Sequence, residues 1–147
     1  MVIQSFCPTN IRQNTLQLFI LKAQLNNKMR TSSFFIKGSD PNAVSISRIV
    51  PPWYNGRRYE PLAPHMNLVA RYINDVIDKL QFAKEYREQV LNTLDPFQVI
   101  VDLGMDAILL DNAPPGKFCH RQLVAEWLEE TLGIKVPECK ESTWLWP

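Results

Sequence analysis

Residues 106–133 read DAILLDNAPPGKFCHRQLVAEWLEETLG. Asp106 to Leu110 is a short apolar run with turn residues close behind it, the pattern of a buried strand. Asn112 to Lys117 holds Pro114, Pro115 and Gly116, so the chain there is a loop. From about Phe118 the apolar residues Leu123, Val124, Trp127 and Leu128 recur at helical spacing, and Gly133 follows Leu132 as a stop. The stretch therefore predicts a strand, a loop and a helix in succession, the repeating unit of α/β folds.

The flanking sequence extends this pattern. Asp95-Pro96 is a helix start and Gly104 its stop, because Asp accepts from open backbone N–H groups and Pro suits the first helical position. Leu68, Val69, Tyr72, Ile73, Val76, Ile77 and Leu80 predict an amphipathic helix. Tyr86, Val90 and Leu94 continue helical spacing after a break expected near Leu80 to Ala83. Ala43 to Ser47 alternates apolar and polar residues after the turn signal Asp40-Pro41-Asn42 and predicts a strand. Between them, Ile49 to Pro64 contains Pro51, Pro52, Pro61 and Pro64, which exclude a regular helix and predict a rigid, extended loop. Leu16 to Leu21 reads as a buried strand, Asn26 to Ser33 as a polar loop, Ser33 to Lys37 as a short extended piece and Ile134 to Val136 as a last edge strand.

Helices separating short apolar strands imply parallel pairing with right-handed crossovers. The expected architecture is a small three-layer α/β domain with a short, mostly parallel sheet. It would occupy residues 15–138, after an extension over 1–14 and before a tail over 139–147.

The chain has 147 residues and a mass of 17.0 kDa, which fits one domain. At 46% hydrophobic it has material for a core, so wholesale disorder is excluded. Sixteen basic and 15 acidic side chains leave a net charge of +1, which excludes a basic nucleic-acid footprint over the whole chain but not a local patch. Cys7, Cys119 and Cys139 form no C-x-x-C pair and no disulfide framework, so a reduced, cytoplasmic chain is expected. No secretory leader and no membrane-spanning run is read from the sequence, and no membrane partner is expected.

Open parallel sheets bind ligands beyond the carboxyl ends of their strands. Arg48 follows one such end, and Asp111 and Asn112 follow another. The helix beyond the second end starts with Lys117, Cys119, His120 and Arg121 and has no acid before Glu126. Cations are unfavourable at a helix amino end, by roughly 0.3–1 kcal/mol each when exposed. Surplus cations beside open N–H groups therefore describe an anion site. The alternative is that Lys117 and Arg121 point to solvent or pair with a distant acid. Cys119 in such a place has either of two roles. The helix dipole, His120 and Arg121 would acidify its thiol into a nucleophile. Equally, its spacing to Leu123 and Trp127 continues the core stripe. A phosphatase loop is excluded because only His120 stands between Cys119 and Arg121. A metal centre is not expected, since adjacent helical residues diverge and further ligands would have to come from Asp111 or His65.

The proline loop has a second signal. Trp53, Arg57, Arg58 and Tyr59 interleave aromatics with arginines, a combination that stacks on bases and meets phosphates. Otherwise the aromatics plug the loop onto the core.

The stretches ILLDNAPPGKFCHRQLVAEWLEE and VSISRIVPPWYNGRRYEPLAP resemble the family known as domain of unknown function 488, as does EYREQVLNTLDPFQVIVDLG between them. The likeness covers roughly Ala43 to Glu138. It implies a Rossmann-like α/β fold but no reaction. Arg48, Trp53, Arg58, Tyr59, Cys119, His120 and Arg121 fall on its motif positions. Asp111 stands where family members often carry a second cysteine, so chemistry with two thiols is not implied.

Three functions are expected to compete. In the first, an enzyme acts on a nucleotide or nucleic acid, with Arg48 and Arg121 clamping the phosphate and Cys119, His120 and Asp111 supplying attack or proton transfer. In the second, a binding module uses the same arginines with the Trp53–Tyr59 loop. In the third, Trp144 and Trp146 dock a protein partner. No cofactor is expected.

Overall fold

The computed structural model describes residues 8–139. Strands β1 (Arg30–Ser33), β2 (Ala43–Ser45), β3 (Arg57–Arg58) and β4 (Ile108–Asp111) form one sheet in the order β1-β4-β2-β3. All its pairings are parallel. The helices are α1 (Pro8–Asn26), α2 (Phe34–Lys37), α3 (Met66–Ile73), α4 (Lys79–Gln89), α5 (Pro96–Leu103) and α6 (His120–Leu132).

Alternation along the central strand β4 makes three layers. Leu109 joins Val44 and Ile46 on the face that packs on Tyr86 of α4, Ile100 of α5 and Val124 and Leu128 of α6. Ile108 and Leu110 point the other way, with Ala43, onto Phe34 of α2 and Tyr54 of the proline loop. Parallel strands covered on both faces read as apolar runs, which is why Ile108 to Leu110 was legible. This is the small, three-layer, Rossmann-like α/β domain that the element order implies.

The helix ends follow the expected chemistry. Asp95 accepts from the Phe97 amide at 3.0 Å with Pro96 in the first turn, and Gly104 leaves α5 at φ 84°. Gly133 closes α6 in the left-handed region at φ 64°.

Several expectations need correction. Leu16 to Leu21 lies within α1 and is not a strand. One side of α1 turns Phe19, Ile20 and the buried Ala23 to the core, while Leu18 and Leu25 are exposed. Arg30–Ser33 is a strand although polar, because it pairs with β4 from Arg30↔Ile108 to Ser33↔Asp111. Phe34–Lys37 is a helical turn, not extended chain. Ile134 and Val136 are buried without joining the ladder, and parallel pairing there is a single bridge between Thr31 and Glu138. The helix break also falls earlier than expected, between Ile73 and Lys79, where Asp78 caps α4 by accepting from the Gln81 amide. Helix α1 runs through the expected boundary at residue 14. Trp144 and Trp146 lie outside the described residues.

Candidate functional site

A cavity of about 250 Å³ opens at the carboxyl ends of β2 and β4. Its polar wall comes from Ser47 and Arg48 after β2, Asp111 and Asn112 at the end of β4, and Cys119 and His120 at the start of α6. Its apolar wall comes from Tyr72 of α3, Phe82 of α4 and Phe118, whose rings meet at centroid distances of 5.1–6.0 Å, with Ile49, Val69 and Ile73 beside them. Two strand ends, Cys119 and His120 at the start of α6 and an aromatic cluster thus share one cleft.

His120 is the fastening at its floor. Nδ1 lies 2.6 Å from Asp111 Oδ2, and Nε2 lies 2.7 Å from the carbonyl oxygen of Ile46. Burial alone would raise the Asp111 pKa. The charge and hydrogen bond of His120, then Arg121 and the Ala113 amide, outweigh it and hold the carboxyl below its ordinary 3.8. Asp111 is therefore a carboxylate at neutral pH. Both ring nitrogens then face acceptors, so both contacts are hydrogen bonds only when the ring carries two protons. The ring is 4% exposed and packs edge-on to Tyr86 at 5.5 Å.

The Cys119 thiol was expected to be acidified or to be core. It is buried, and its pKa is pushed up to about 12, first by burial and then by the Asp111 charge. Arg121 and the amides of Arg121 and Gln122 pull the other way without reversing this. At neutral pH it is a neutral thiol in the cavity wall, not a thiolate nucleophile.

Arg121 faces neither solvent nor the cleft. Its side chain is fully buried, with Nε 2.6 Å from Glu138 Oε1 and one terminal nitrogen donating to the Ala113 carbonyl at 2.7 Å. The other terminal nitrogen donates to the Pro114 carbonyl at 3.3 Å. It pins the 113–114 loop and the segment after α6. Arg48 is the cation that reaches the cleft. It donates from Nε to the Pro64 carbonyl at 3.1 Å and from one terminal nitrogen to Ala63 at 3.4 Å. The other terminal nitrogen has Glu60, itself exposed, at 4.0 Å.

The remaining sequence candidates are not brought to the cleft. Arg57 and Tyr59 secure the carboxyl end of α5. Arg57 donates to the Leu103 carbonyl at 2.9 Å and to the Asp102 carbonyl, and Tyr59 donates to the Asp102 carboxylate at 2.8 Å. Burial and then Asp102 push the Tyr59 phenol up to about 12. Trp53 packs against Phe34 and Phe35 near α2. Arg58 and Lys117 are exposed outside the cavity. His65 is exposed at the start of α3.

Ser47, Asn112 and the aromatic trio went unrecognised as site residues. Tyr72 sits at helical spacing and reads as core stripe, which it also is, while Phe82 falls where the sequence predicts a break between helices; only the topology brings the two into one wall. Asn112 lies in a turn and donates to Ser47 Oγ at 3.1 Å and the Ile49 carbonyl at 2.7 Å, tying the two strand ends together. Among the described residues no helix is long and apolar enough to cross a membrane, and no group of three or more His, Cys, Asp and Glu side chains could hold a metal ion. Comparison with family models, curated proteins and solved structures finds no match.

Proposed function

We propose that this domain binds a small organic anion, of the class of phosphate esters, in the cleft at the carboxyl ends of β2 and β4. The observation that carries the reading is the cleft's division into an aromatic and aliphatic wall and a polar edge bearing Arg48. Such a pocket, mostly apolar with a few convergent polar groups, is the usual form of a small-molecule site. The likeness of the Cys-His-Arg stretch to the domain of unknown function 488 family belongs to the same proposal, with this cleft as the place its motif would serve.

The reading is one of binding. A thiol with its pKa near 12 supplies no attacking thiolate at neutral pH, and His120 has an acceptor at each nitrogen. Both support a structural part for Cys119 and His120. The loop-based nucleic-acid reading loses support because Arg57 and Tyr59 are engaged with α5.

Isothermal titration with phenyl phosphate and with inorganic phosphate tests the proposal. Phenyl phosphate should bind and inorganic phosphate should bind at least about tenfold more weakly, since the apolar wall contributes only to the former. Arg48→Ala should weaken phenyl phosphate about tenfold or more, the loss of a charge-assisted contact. Arg57→Ala, at the far end of the sheet, should leave it unchanged. Binding indifferent to Arg48 refutes the reading.

A further inference from the structure

We infer that the body of the ligand is a flat heterocycle with an N–H edge, the chemistry of a nucleobase, so that the ligand is a nucleoside monophosphate. This rests on the pocket reading above and specifies what fills the apolar part.

Among the described residues Asp111 is the only carboxylate on the cavity wall. Its side chain keeps 11% of its surface, and the residue lines the cavity. One oxygen takes His120 and the other takes the Ala113 amide at 3.3 Å. A carboxylate has about four acceptor positions, so further ones are available to a donor entering the cleft. Each oxygen already has one donor, and an N–H donor from a ligand would take one of the further positions.

Charge selects the kind of donor. Asp111 already has His120 Nδ1 at 2.6 Å from Oδ2 and the Arg121 charge near enough to lower its pKa, so a further cation is not what the carboxylate lacks. A neutral ring N–H or amino group suits this floor better than a cation. The same cavity is lined by Tyr72, Phe82 and Phe118, in mutual edge-to-face or tilted contact. Rings in this arrangement take a further flat ring against an edge or face. Size agrees. An apolar cavity of about 150 Å³ holds benzene, and about 250 Å³ is room for one or two fused rings but not for a sugar phosphate as well. The sugar and phosphate would lie towards the mouth, on the side of Arg48.

The test is titration of the full chain with the 5′-monophosphates of adenosine, guanosine, cytidine and uridine, beside ribose 5-phosphate and phenyl phosphate. At least one nucleotide should bind ten- to a hundredfold tighter than both controls, the range expected for a hydrogen bond to a charged acceptor. Phenyl phosphate binding as tightly as every nucleotide overturns the heterocycle inference and leaves the pocket reading intact. No binding by any of the six overturns both. Asp111→Asn, where circular dichroism shows it folded, should reduce the preference over phenyl phosphate, since an amide oxygen accepts more weakly than a carboxylate; an unchanged preference also overturns the inference. The ligand comparison stands without that variant.

Discussion

Nδ1 of His120 lies 2.6 Å from Oδ2 of Asp111, and through this contact the first residue of α6 is fastened to the last residue of β4. Nε2 of the same ring reaches the chain just beyond β2 at the Ile46 carbonyl. One side chain thus closes the floor of the cleft from three elements. Removing one partner of a buried ion pair leaves an uncompensated charge and costs about 3–5 kcal/mol. His120→Ala should lower the unfolding free energy by that amount in urea titration. A loss below about 1 kcal/mol would mean the pair is a surface-like contact.

Asp111 makes stability depend on acid in a defined direction. Its carboxyl is held below 3.8 in the folded protein. In the interval between that lowered value and 3.8 the unfolded chain binds more protons, so stability rises with pH there. The contribution is complete above 3.8 and is lost as pH falls through the folded value. Urea midpoints at about pH 5 and about pH 3 should differ more in the wild type than in Asp111→Asn. Equal acid sensitivity in the two would show that other carboxylates carry the effect.

Cys119 should resist alkylation. With its pKa near 12, the thiolate fraction at neutral pH is very small, and the sulfur is buried as well. Peptide mapping after iodoacetamide treatment should find Cys119 labelled far more slowly in the native protein than in urea, with a rate still rising well above pH 9. Fast labelling near neutral pH would restore the nucleophile.

These contacts divide what could be read in the chain from what could not. The residues 106–133 unit was legible because β4 is covered on both faces and reads as an apolar run, and because Gly133 and Asp95-Pro96 carry their own terminal chemistry. Strand β1 was not, since Thr31, Ser32 and Ser33 are polar yet buried. Nothing local compensates for that burial; Ser32 finds its acceptor at the Cys139 carbonyl, 107 positions away. Leu16 to Leu21 misled because a short apolar run has no period of its own, and its helix leaves leucines exposed. Of the residues singled out in the sequence, Arg48, Asp111, Cys119 and His120 line the cleft, because they follow or face the carboxyl ends of β2 and β4. The surplus of cations at the start of α6 is real, but Glu138, beyond the helix, absorbs Arg121.

Arg121 and Glu138 should therefore behave as a pair. The guanidinium is fully buried and also holds the Ala113 and Pro114 carbonyls, which form the loop beside the cleft. Arg121→Met should cost about 3–5 kcal/mol, because it leaves two carbonyls without their guanidinium donor and Glu138 with only the Gly116 amide at 3.4 Å. Glu138→Gln should cost less, since an amide oxygen still accepts from Nε. A double-mutant cycle should give a coupling above about 1 kcal/mol. Additive losses would mean that Arg121 acts through the carbonyls alone.

Ser33 makes the opposite prediction. It closes β1 beside Asp111, is 1% exposed, and its hydroxyl is the one buried side-chain oxygen among the described residues without a hydrogen-bond partner. It precedes α2 yet does not cap it. A buried hydroxyl with no partner costs roughly 1–3 kcal/mol, while deleting it forfeits little packing. Ser33→Ala should therefore leave stability unchanged or raise it by up to about 1 kcal/mol. Ser32, equally buried in the same strand, should not tolerate apolar replacement in the same way, because its hydroxyl donates to the Cys139 carbonyl at 2.9 Å. If Ser33→Ala instead destabilises by more than about 1 kcal/mol while Ser32→Ala does not, the hydroxyl at the carboxyl end of β1 is satisfied in solution and the edge of the sheet beside Asp111 is wetter than its burial implies.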